Sequence, residues 1–302
     1  MKSVLVTGAT GNVGTELVKC LQKADVKLLA AVQEPDKPAP HLPPAVERIR
    51  FVFGDEATYA PALRGVDAVF LLRPPRISDA KRFILPAIDA MKAARVRAVT
   101  FLSVQGAHGN PLVPHHAIEK HLERSGLEYS FLRAAFFMQN LSTTHRDDIR
   151  LHDDIMVPAG HGKTAFVDVR DVAAVAALTL TEAGHAGRAY ELTGSEALAY
   201  DEVAQILSVA LGRTIRYPNP NVLRFWARMY QRREPVGFVL VMTALYAVAA
   251  LGKAGHLSED TQRLLGRSPI GLRQFVRDYA HVWARGSSPH RSPDAATGSR
   301  SA

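Results

Sequence analysis

The chain has 302 residues, of which 47% are apolar and 22% are charged, and its formal net charge is +8. This composition excludes a disordered or fibrous protein and supplies enough apolar side chains for a large globular core. The single cysteine, Cys20, excludes an internal disulfide, and the chain enters an apolar run directly after Met1-Lys2-Ser3. Both features predict a cytoplasmic protein without a secretory signal.

Apolar runs alternate with amphipathic stretches along the first half of the chain. The predicted strands cover residues 4–6, 26–32, 48–55, 66–72, 98–104 and 128–137. The predicted helices cover residues 12–23, 59–63, 83–94 and 115–125. Strands that alternate with helices form βαβ units. This half therefore predicts an α/β fold with a Rossmann-type, doubly wound parallel sheet that helices cover on both faces.

The pattern changes after about residue 141, where helical stretches become longer. We expect a strand, a turn and an Ala/Val-rich helix within 164–182, a strand at 189–194, and helices at 200–211, 218–251, 260–265 and 271–283. These elements predict a small C-terminal α/β substrate lobe over 151–284, mostly helical, that interleaves with a first domain over 1–150. Residues 285–302 contain almost no apolar side chains, which predicts a disordered tail.

One uncharged segment, 236–251, raises the question of a membrane helix. A spanning helix needs about 20 apolar residues, so these sixteen residues predict a buried or pocket-covering helix instead, and no membrane partner. The arginines are scattered and do not interleave with aromatic residues, which argues against nucleic-acid binding. We expect a monomer or a homodimer.

The sequence "VLVTGATGNVG" (4–14) joins the first predicted strand to the first predicted helix. Gly8 permits a sharp exit from the strand, Gly11 lets a diphosphate approach the backbone, and Gly14 lets the helix pack against the sheet. The helix N-terminus adds free N–H groups and the positive end of its dipole. A dinucleotide is therefore favoured over a purely structural turn, with candidate ligands at Gly8, Thr10, Gly11, Asn12, Val13 and Gly14.

The end of the second predicted strand bears on the choice between NAD and NADP. A carboxylate there binds the ribose hydroxyls of NAD, whereas a cation accommodates the 2′-phosphate of NADP. This chain has the neutral Gln33, then Glu34, with Lys37 close enough to reach a phosphate. Lys37 favours NADPH, but the sequence leaves both cofactors open.

The spacing GxxGxxG resembles the extended and atypical branches of the short-chain dehydrogenase/reductase superfamily. The segment "HHAIEKHLERSGLEYSFLRAAFFMQN" (115–140) resembles the hallmark of the NmrA-like NAD(P)-binding proteins, and the likeness extends over about residues 1–284. This resemblance implies a Rossmann-type fold and a nicotinamide cofactor. The family includes quinone and azo-dye reductases and also dinucleotide-binding regulators without catalysis, so it leaves the chemistry open.

A standard short-chain reductase uses a Tyr-x-x-x-Lys pair after the fifth strand, and this sequence lacks that tyrosine. His116 and Lys120 have the same spacing and would share one helix face. The resemblance implies a functional role for His115, where many relatives carry a lysine or histidine, and for Ser103, at the place of the superfamily's catalytic serine or threonine. His115 or His116 is a candidate general acid, because an unperturbed imidazole titrates near pH 6.5. Lys120 is a candidate ribose ligand. A surface histidine and a solvated lysine are the alternatives.

The carboxyl ends of the other strands supply further candidates, because ligands of open parallel sheets bind at that edge. The candidate cofactor contacts there are Asp55, Leu71, Leu72, Arg73, Ser103, Val104 and Gln105. The resemblance implies that Phe136, Phe137, Met138 and Asn140 line the nicotinamide and substrate pocket. The apolar run Phe136–Phe137 followed by Met138, taken by itself, is more typical of a core.

Two polar clusters have structural interpretations. In the sequence "VDVRD" (167–171) we expect Asp171 to cap the following helix and Arg170 to pair with an acid. The histidines and aspartates within 145–154 match no zinc or calcium spacing, so we expect a solvated loop and no metal. The leading hypothesis is an NAD(P)H-dependent oxidoreductase that transfers hydride to a conjugated, apolar, small-molecule acceptor such as a quinone, an azo compound or a secondary-metabolite intermediate. A non-catalytic redox sensor is the alternative.

Overall fold

A computed structural model describes residues 1–285. Its strands are β1 (Lys2–Val6), β2 (Val26–Val32), β3 (Glu47–Arg50), β4 (Ala68–Leu72), β5 (Ala98–Val104), β6 (Glu128–Ala134), β7 (Phe136–Phe137), β8 (Thr164–Val167), β9 (Arg188–Leu192) and β10 (Ala197–Leu198). Seven of them form one parallel sheet in the order β3-β2-β1-β4-β5-β6-β9. The strand order reverses between β1 and β4, which creates a crevice at their carboxyl ends. The prediction of a Rossmann-type, doubly wound sheet is confirmed.

Helices cover both faces of this sheet. The helices within the described residues are α1 (Asn12–Leu21), α2 (Tyr59–Leu63), α3 (Ala80–Phe83), α4 (Leu85–Ala93), α5 (Pro114–Ser125), α6 (Gln139–Ser142), α7 (Arg146–His152), α8 (Val169–Thr181), α9 (Tyr200–Leu211), α10 (Val222–Gln231), α11 (Val236–Ala250), α12 (Asp260–Leu265) and α13 (Leu272–Trp283). On one face α1 packs against α8, and on the other α2, α4 and α5 enclose a second apolar core. The parallel strands are buried on both sides, which explains their continuous apolar runs.

A second, three-stranded sheet of order β10-β8-β7 belongs to the C-terminal part of the chain. Together with helices α9, α10, α11 and α13 it encloses a separate core whose largest buried side chains are Trp283, Tyr246, Phe225 and Phe275. Three elements after residue 150 nevertheless pack with the main sheet: β9 pairs with β6, α8 packs on α1, and α12 packs on α8 and β9. Of the predicted tail at 285–302, only Arg285 lies within the described residues.

Several predicted elements have different bounds in the structure, and the predicted helix 218–251 divides into α10 and α11, with Pro235 between them. The third strand ends at Arg50, because the amides of Val52 and Gly54 donate to the side chains of Thr58 and Tyr59 instead of to a strand. The predicted helix 83–94 divides into α3 and α4. Pro86 lies in the first turn of α4, where a backbone N–H would have no acceptor within the helix, so its missing N–H costs no hydrogen bond. The sixth strand stops at Ala134, and β7 leaves the main sheet to pair with β8.

The segment 145–154 is not a solvated loop, so that prediction is wrong. It contains α7, and both His145 and Asp148 are buried at its start. Asp148 forms ion pairs with Arg232 (3.0 Å) and Arg228 (3.4 Å) of the region around α10. Burial nevertheless raises the pKa of Asp148, because the loss of solvent around the carboxylate outweighs the attraction of the two guanidinium groups. No group of three metal-ligating side chains occurs among residues 1–285.

Helix α11 corresponds to the uncharged segment 236–251, but only one of its faces is covered. Val239, Met242, Tyr246 and Ala249 point into the lobe core, whereas the opposite face is exposed. The expectation of a buried helix is therefore wrong for half of its surface. Within the described part of the chain, no helix has both the length and the apolar character that crossing a membrane requires.

Candidate functional site

The glycine loop lies at the crevice between β1 and β4. Gly8 has a left-handed backbone conformation (φ +64°), which glycine adopts without strain. A methyl group at Gly14 would lie 2.1 Å from the carbonyl oxygen of Gly8, so only glycine allows α1 to start this close to the loop. Gly11 is the N-cap residue, and no side chain caps the helix. Its first N–H groups are therefore available to an anion.

The outer part of this loop is open to solvent, whereas its last residues are covered. Thr10, Gly11 and Asn12 are exposed, and Val13 and Gly14 are buried. The Val13 side chain belongs to the core between α1 and the sheet, so it has only its backbone N–H to offer a ligand. The geometry thus fits a diphosphate on the main chain, in line with the arrangement predicted from the three glycines.

Thr7, which sequence reasoning missed, fixes the position of the glycine loop. Its hydroxyl donates to the carbonyl oxygen of Phe70 (2.9 Å) and accepts from the N–H of Leu72 (2.8 Å). These bonds tie the end of β1 to the end of β4. The Leu72 side chain lies so close to Gly8 that a methyl group there would be 3.1 Å away from it. A threonine directly before the first glycine was the available signal in the sequence.

Two cationic side chains, Lys37 and Arg48, lie near the end of β2. Gln33 is exposed, and Lys37 forms an exposed ion pair with Glu34 (2.8 Å). Arg48 of the neighbouring β3 donates to the carbonyl oxygen of Lys37 (2.7 Å). Positive charge is therefore available where a 2′-phosphate of NADP binds in Rossmann folds. Arg48 was not among the predicted contacts because its nearness follows from strand pairing across the loop.

Asp55 follows β3 and is held by Arg50, whose guanidinium nitrogen lies 3.0 Å from its carboxylate. Gly54 before it has φ +92° and turns the chain towards α2. Asp55 remains at the predicted edge of the sheet. Its expected contact with the adenine part of a dinucleotide stays a prediction.

His115 and Arg73 meet at the ends of α5 and β4. Arg73 Nε donates to His115 Nε2 over 3.4 Å, and the imidazole also stacks on Phe101 with a centroid distance of 5.9 Å. Burial and the Arg73 cation lower the pKa of His115 to about 3. The ring is therefore neutral at pH 7 and carries its proton on Nδ1, because Nε2 accepts. Nδ1 is buried without a hydrogen-bond partner among the described residues.

Arg73 itself is turned back onto its own loop. Its Nη1 donates to the carbonyl oxygens of Pro74 (3.1 Å) and Pro75 (3.4 Å), and burial lowers the pKa of the guanidinium. These bonds hold the loop after β4 in a bent conformation beside α5. The sequence predicted Arg73 as a cofactor contact without indicating its pairing with His115.

Ser103 is part of a buried ionic network that sequence reasoning missed. Its hydroxyl donates to Glu119 on α5 (2.6 Å), and Arg133 on β6 donates to both oxygens of the same carboxylate (3.1 and 2.8 Å). Burial opposes the charged form of Arg133, but Glu119 prevails and raises the pKa of the guanidinium. The hydroxyl proton of Ser103 is thus committed to Glu119, while its lone pairs can still accept a hydrogen bond.

The network continues to Glu191 on β9, whose carboxylate lies 3.8 Å from Arg133. Burial raises the pKa of Glu191, and its Oε2 has no hydrogen-bond partner within residues 1–285. The pair "IE" and the pair "LR" of the 115–140 segment contribute Glu119 and Arg133. That part of the motif therefore ties α5, β5, β6 and β9 together.

His116 and Lys120 share a face of α5, as their spacing predicted, but both have local partners. Nδ1 of His116 donates to the carbonyl oxygen of Ala107 (3.0 Å). Lys120 forms a half-exposed ion pair with Glu123 (2.8 Å). His116 thus stabilises the turn before the helix. The catalytic role of His116 and the ribose contact of Lys120 stay predictions.

The segment after β6 contains half-buried and fully buried residues. Phe136 and Phe137 are half-buried, and Phe136 stacks on Tyr246 of α11 with a centroid distance of 6.4 Å. Met138 is fully buried in the lobe core, and Asn140 is half-buried. Phe136 and Phe137 therefore present aromatic surface near the carboxyl edge of the sheet. Met138 fits the interpretation as core, and the substrate contacts of all four residues stay predictions.

Residues at the end of β5 connect the sheet to the C-terminal lobe. Val104 is half-buried, and Gln105 Nε2 donates to the carbonyl oxygen of His256 over 3.1 Å. The Leu71 side chain is buried in the core beneath the sheet, so it supports the position of Leu72 and does not itself reach the crevice. The crevice thus has the glycine loop on one side and the lobe on the other.

The sequence "VDVRD" has a structural role, but the capping residue is Asp168 instead of Asp171. The Asp168 carboxylate accepts from the N–H of Arg170 (2.9 Å) at the N-terminus of α8. Asp171 accepts from Arg267 and from the N–H of Ile270, both at 2.7 Å. Arg170 pairs with Asp168 and Asp278, as expected. Asp171 fastens α8 to the loop before α13, which local sequence does not indicate.

Comparison with known proteins agrees with this geometry. The azoreductase "NAD(P)H azoreductase" of Xenophilus azovorans is 31% identical over 289 residues, which cover 94% of this chain and 100% of that protein. The structure of the Escherichia coli NADPH-dependent quinone oxidoreductase QOR2 complexed with NADPH is 27% identical, covers 93% of this chain and 100% of that one, and has a TM-score of 0.82. The Citrobacter sp. triphenylmethane reductase complexed with NADP(H) is 25% identical, with coverages of 92% and 99% and a TM-score of 0.80.

The model of the NmrA-like family matches residues 1–253, which is most of the chain. The match includes the glycine loop, the Arg73–His115 pair and the Glu119–Arg133 pair. The chain belongs to the NmrA-like family.

Proposed function

We propose that this protein is an NAD(P)H-dependent oxidoreductase that transfers hydride to a conjugated, apolar, small-molecule acceptor of the quinone or azo type. The observation that carries the proposal is the bare N-terminus of α1 behind Gly8 and Gly11, which opens into the crevice between β1 and β4. The similar proteins are named as an azoreductase, a quinone oxidoreductase and a triphenylmethane reductase, all of them reductases of conjugated molecules.

The cofactor, when bound, supplies the hydride from its reduced nicotinamide ring. The residues at the start of α1 would hold its diphosphate, and the cations at the end of β2 would hold a 2′-phosphate, which favours NADPH. Leu72, Val104 and Gln105 would line its path along the sheet edge. Phe136 and Phe137 would give a planar acceptor an aromatic wall, so that donor and acceptor lie face to face.

His115 would act as a hydrogen-bond donor instead of a general acid. Its pKa of about 3 leaves the ring neutral at pH 7, and its buried Nδ1–H lacks a partner within the described residues. A buried donor without a partner costs about 1–3 kcal/mol, so a ligand carbonyl that accepts from it gains affinity. Ser103 would offer a lone pair to the same ligand. Water would then protonate the reduced acceptor.

The protein is proposed to act in the cytoplasm, with residues 1–150 as the dinucleotide-binding part and 151–284 as the substrate part. These assignments, like the individual site residues, stay predictions. The redox-sensor alternative has less support, since the relatives described above carry the names of reductases.

The test follows the oxidation of NADPH and NADH at 340 nm. Quinones and azo dyes serve as acceptors, and simple ketones serve as controls. We expect turnover with at least one conjugated acceptor and none with ketones, because the tyrosine acid of ketone reductases is missing. Calorimetry on the same sample measures cofactor binding. Binding without turnover on any acceptor would favour the sensor, and absence of binding would refute both functions.

A further inference from the structure

Helix α11 presents an apolar face to solvent that its own chain does not cover. Val236, Leu240, Val241, Leu245, Val248 and Leu251 on this face are between 39% and 71% exposed. Its one polar residue, Thr243, is turned inward, where it accepts from Trp226 Nε1 (3.0 Å) and donates to Val239 O (2.7 Å). A contiguous exposed apolar surface of this kind marks an interaction site.

The centre of this face is made of small residues. Gly237, Ala244 and Ala247 are exposed, and residues 237, 244 and 251 follow one another at intervals of seven. That interval places them on one line along a helix that packs against another helix. Gly237 and Ala244 on this line allow a close approach of the two helix axes, while Leu251 at the end of the line and the flanking leucines and valines fill the remaining space. The face therefore fits another α-helix of similar character.

Opposite charges stand at equal distances from the middle of the helix. Glu234 precedes α11, and Lys253 follows it, held by the N–H bond of Lys253 to Val248 O (3.0 Å) at the helix end. Neither side chain forms an ion pair within residues 1–285. The midpoint between 234 and 253 coincides with the midpoint of the exposed face from 236 to 251, between Thr243 and Ala244.

We propose that α11 is the centre of a homodimer interface, in which it packs antiparallel against α11 of a second copy about a twofold axis near Ala244. This arrangement places Glu234 beside Lys253 of the partner subunit, and the symmetry forms that ion pair twice. It also opposes the dipoles of the two helices. The proposal does not depend on the proposed hydride transfer.

Helix α10 enlarges the interface. Stable interfaces bury about 800 Å² per partner, which is more than one helix face provides. Trp226 on α10 contacts α11, and positions 223 and 230 lie on the same side of α10 as 226 by helical periodicity. Leu223 and Tyr230 are 79% and 86% exposed and extend the apolar surface beside α11.

A lipid surface is the competing occupant, and the composition of the face argues for the second copy. Helices that lie on membranes bury bulky aromatic and leucine side chains and surround them with cations. Here the central line holds Gly237 and Ala244 before Leu251, and the charged residues that flank the face, Arg233, Glu234 and Lys253, include an acid. Glu234 and Lys253 are complementary to Lys253 and Glu234 of a second, antiparallel copy, whereas an anionic membrane would repel Glu234.

The first experiment is sedimentation equilibrium of the full chain and two matched variants. Leu240→Glu puts a charge into the proposed interface, and Val209→Glu puts the same charge on α9, where Val209 is 82% exposed. We expect a dimer for the wild type and for V209E, and at least a 30-fold higher dissociation constant for L240E, with unchanged circular dichroism. A monomeric wild type, or equal dimerisation of L240E and V209E, would overturn the proposal.

Two further variants test the register. Glu234→Lys and Lys253→Glu should each weaken the dimer by about tenfold, and the double variant should restore it. In a Cys20→Ser background, Ala244→Cys should form an intermolecular disulfide on mild oxidation, and Val209→Cys should not. A dimer without charge-swap rescue would refute the antiparallel pairing. A monomer that co-sediments with phosphatidylglycerol vesicles through Leu240 would assign the face to lipid instead.

Discussion

Replacement of Glu119 by glutamine tests whether the buried network holds the sheet and Ser103 together. Glu119 is 2% exposed and accepts hydrogen bonds from Ser103 and, twice, from Arg133. The variant keeps the volume but leaves the Arg133 cation with Glu191 alone, at 3.8 Å. Removal of one partner from a buried pair costs about 3–5 kcal/mol. For a chain of this size we expect the melting temperature to fall by roughly 5–10 °C.

The assay is thermal and urea unfolding of E119Q beside Glu123→Gln, which breaks the half-exposed pair with Lys120 on the same helix. The half-exposed pair of Lys120 and Glu123 contributes about 0.2–1 kcal/mol to stability. The melting temperature of E123Q should therefore lie close to that of the wild type. The double variant Glu119→Gln with Arg133→Met removes the uncompensated cation and should recover most of the loss. Equal stability of E119Q and E123Q would refute the interpretation of Glu119 as a structural ion pair.

Three further outcomes follow from the geometry. Gly14→Ala places a methyl group 2.1 Å from Gly8 O, so NADPH binding by calorimetry should weaken at least 100-fold while Gly237→Ala, at an exposed helical position with open space around it, keeps the affinity; equal affinities would contradict the role of Gly14. His145 is buried beside Tyr246, where burial and the Arg232 cation lower its pKa to about 3. As the pH falls, the imidazole is therefore protonated in the unfolded chain at a higher pH than in the folded chain. The free energy of unfolding should then fall below pH 6.5, by up to about 1.4 kcal/mol per pH unit for this group, until about pH 3; parallel curves for the wild type and His145→Gln would contradict it. Arg73→Met should raise the pKa of His115, measured by NMR titration, because it removes the neighbouring cation while burial remains; an unchanged pKa would show that the cation has no effect.

Local sequence was sufficient for most secondary structure. The bounds of β2, β5, α9 and α12 coincide with the prediction, because each is a continuous apolar or amphipathic run with a clear stop on both sides. Gly126 ends α5 in the left-handed conformation (φ +81°), which glycine adopts without strain. The glycine loop was recognisable because strand, turn and helix follow each other within the chain.

The pairings that complete the site join residues far apart in the sequence, and no local pattern contains them. Thr7 bonds to β4 more than sixty residues away, and Arg73 contacts His115, which is 42 residues later in the chain. The burial of His145 depends on Tyr246, 101 residues later. Each requires knowledge of which strands and helices become neighbours. The sequence could therefore name Ser103 and His115 as candidates but could not predict their protonation.

The protonation of the crevice limits the chemistry that the site can support. Burial and the Arg73 cation keep His115 neutral, and His116 donates to the carbonyl oxygen of Ala107. The Ser103 proton is directed to Glu119, and Lys120 pairs with Glu123. Of the two candidate acids, His115 is therefore uncharged and His116 has its Nδ1–H bonded to the backbone, so neither is poised to give a proton to an alkoxide as hydride arrives. A ketone needs such a proton because its alkoxide is strongly basic. A quinone delocalises the negative charge that hydride transfer adds, and an extended cationic dye is neutralised by it. Water can therefore supply any proton that the product needs after the transfer. The absence of a poised acid among these residues thus favours conjugated acceptors on physical grounds, independently of what the relatives are named.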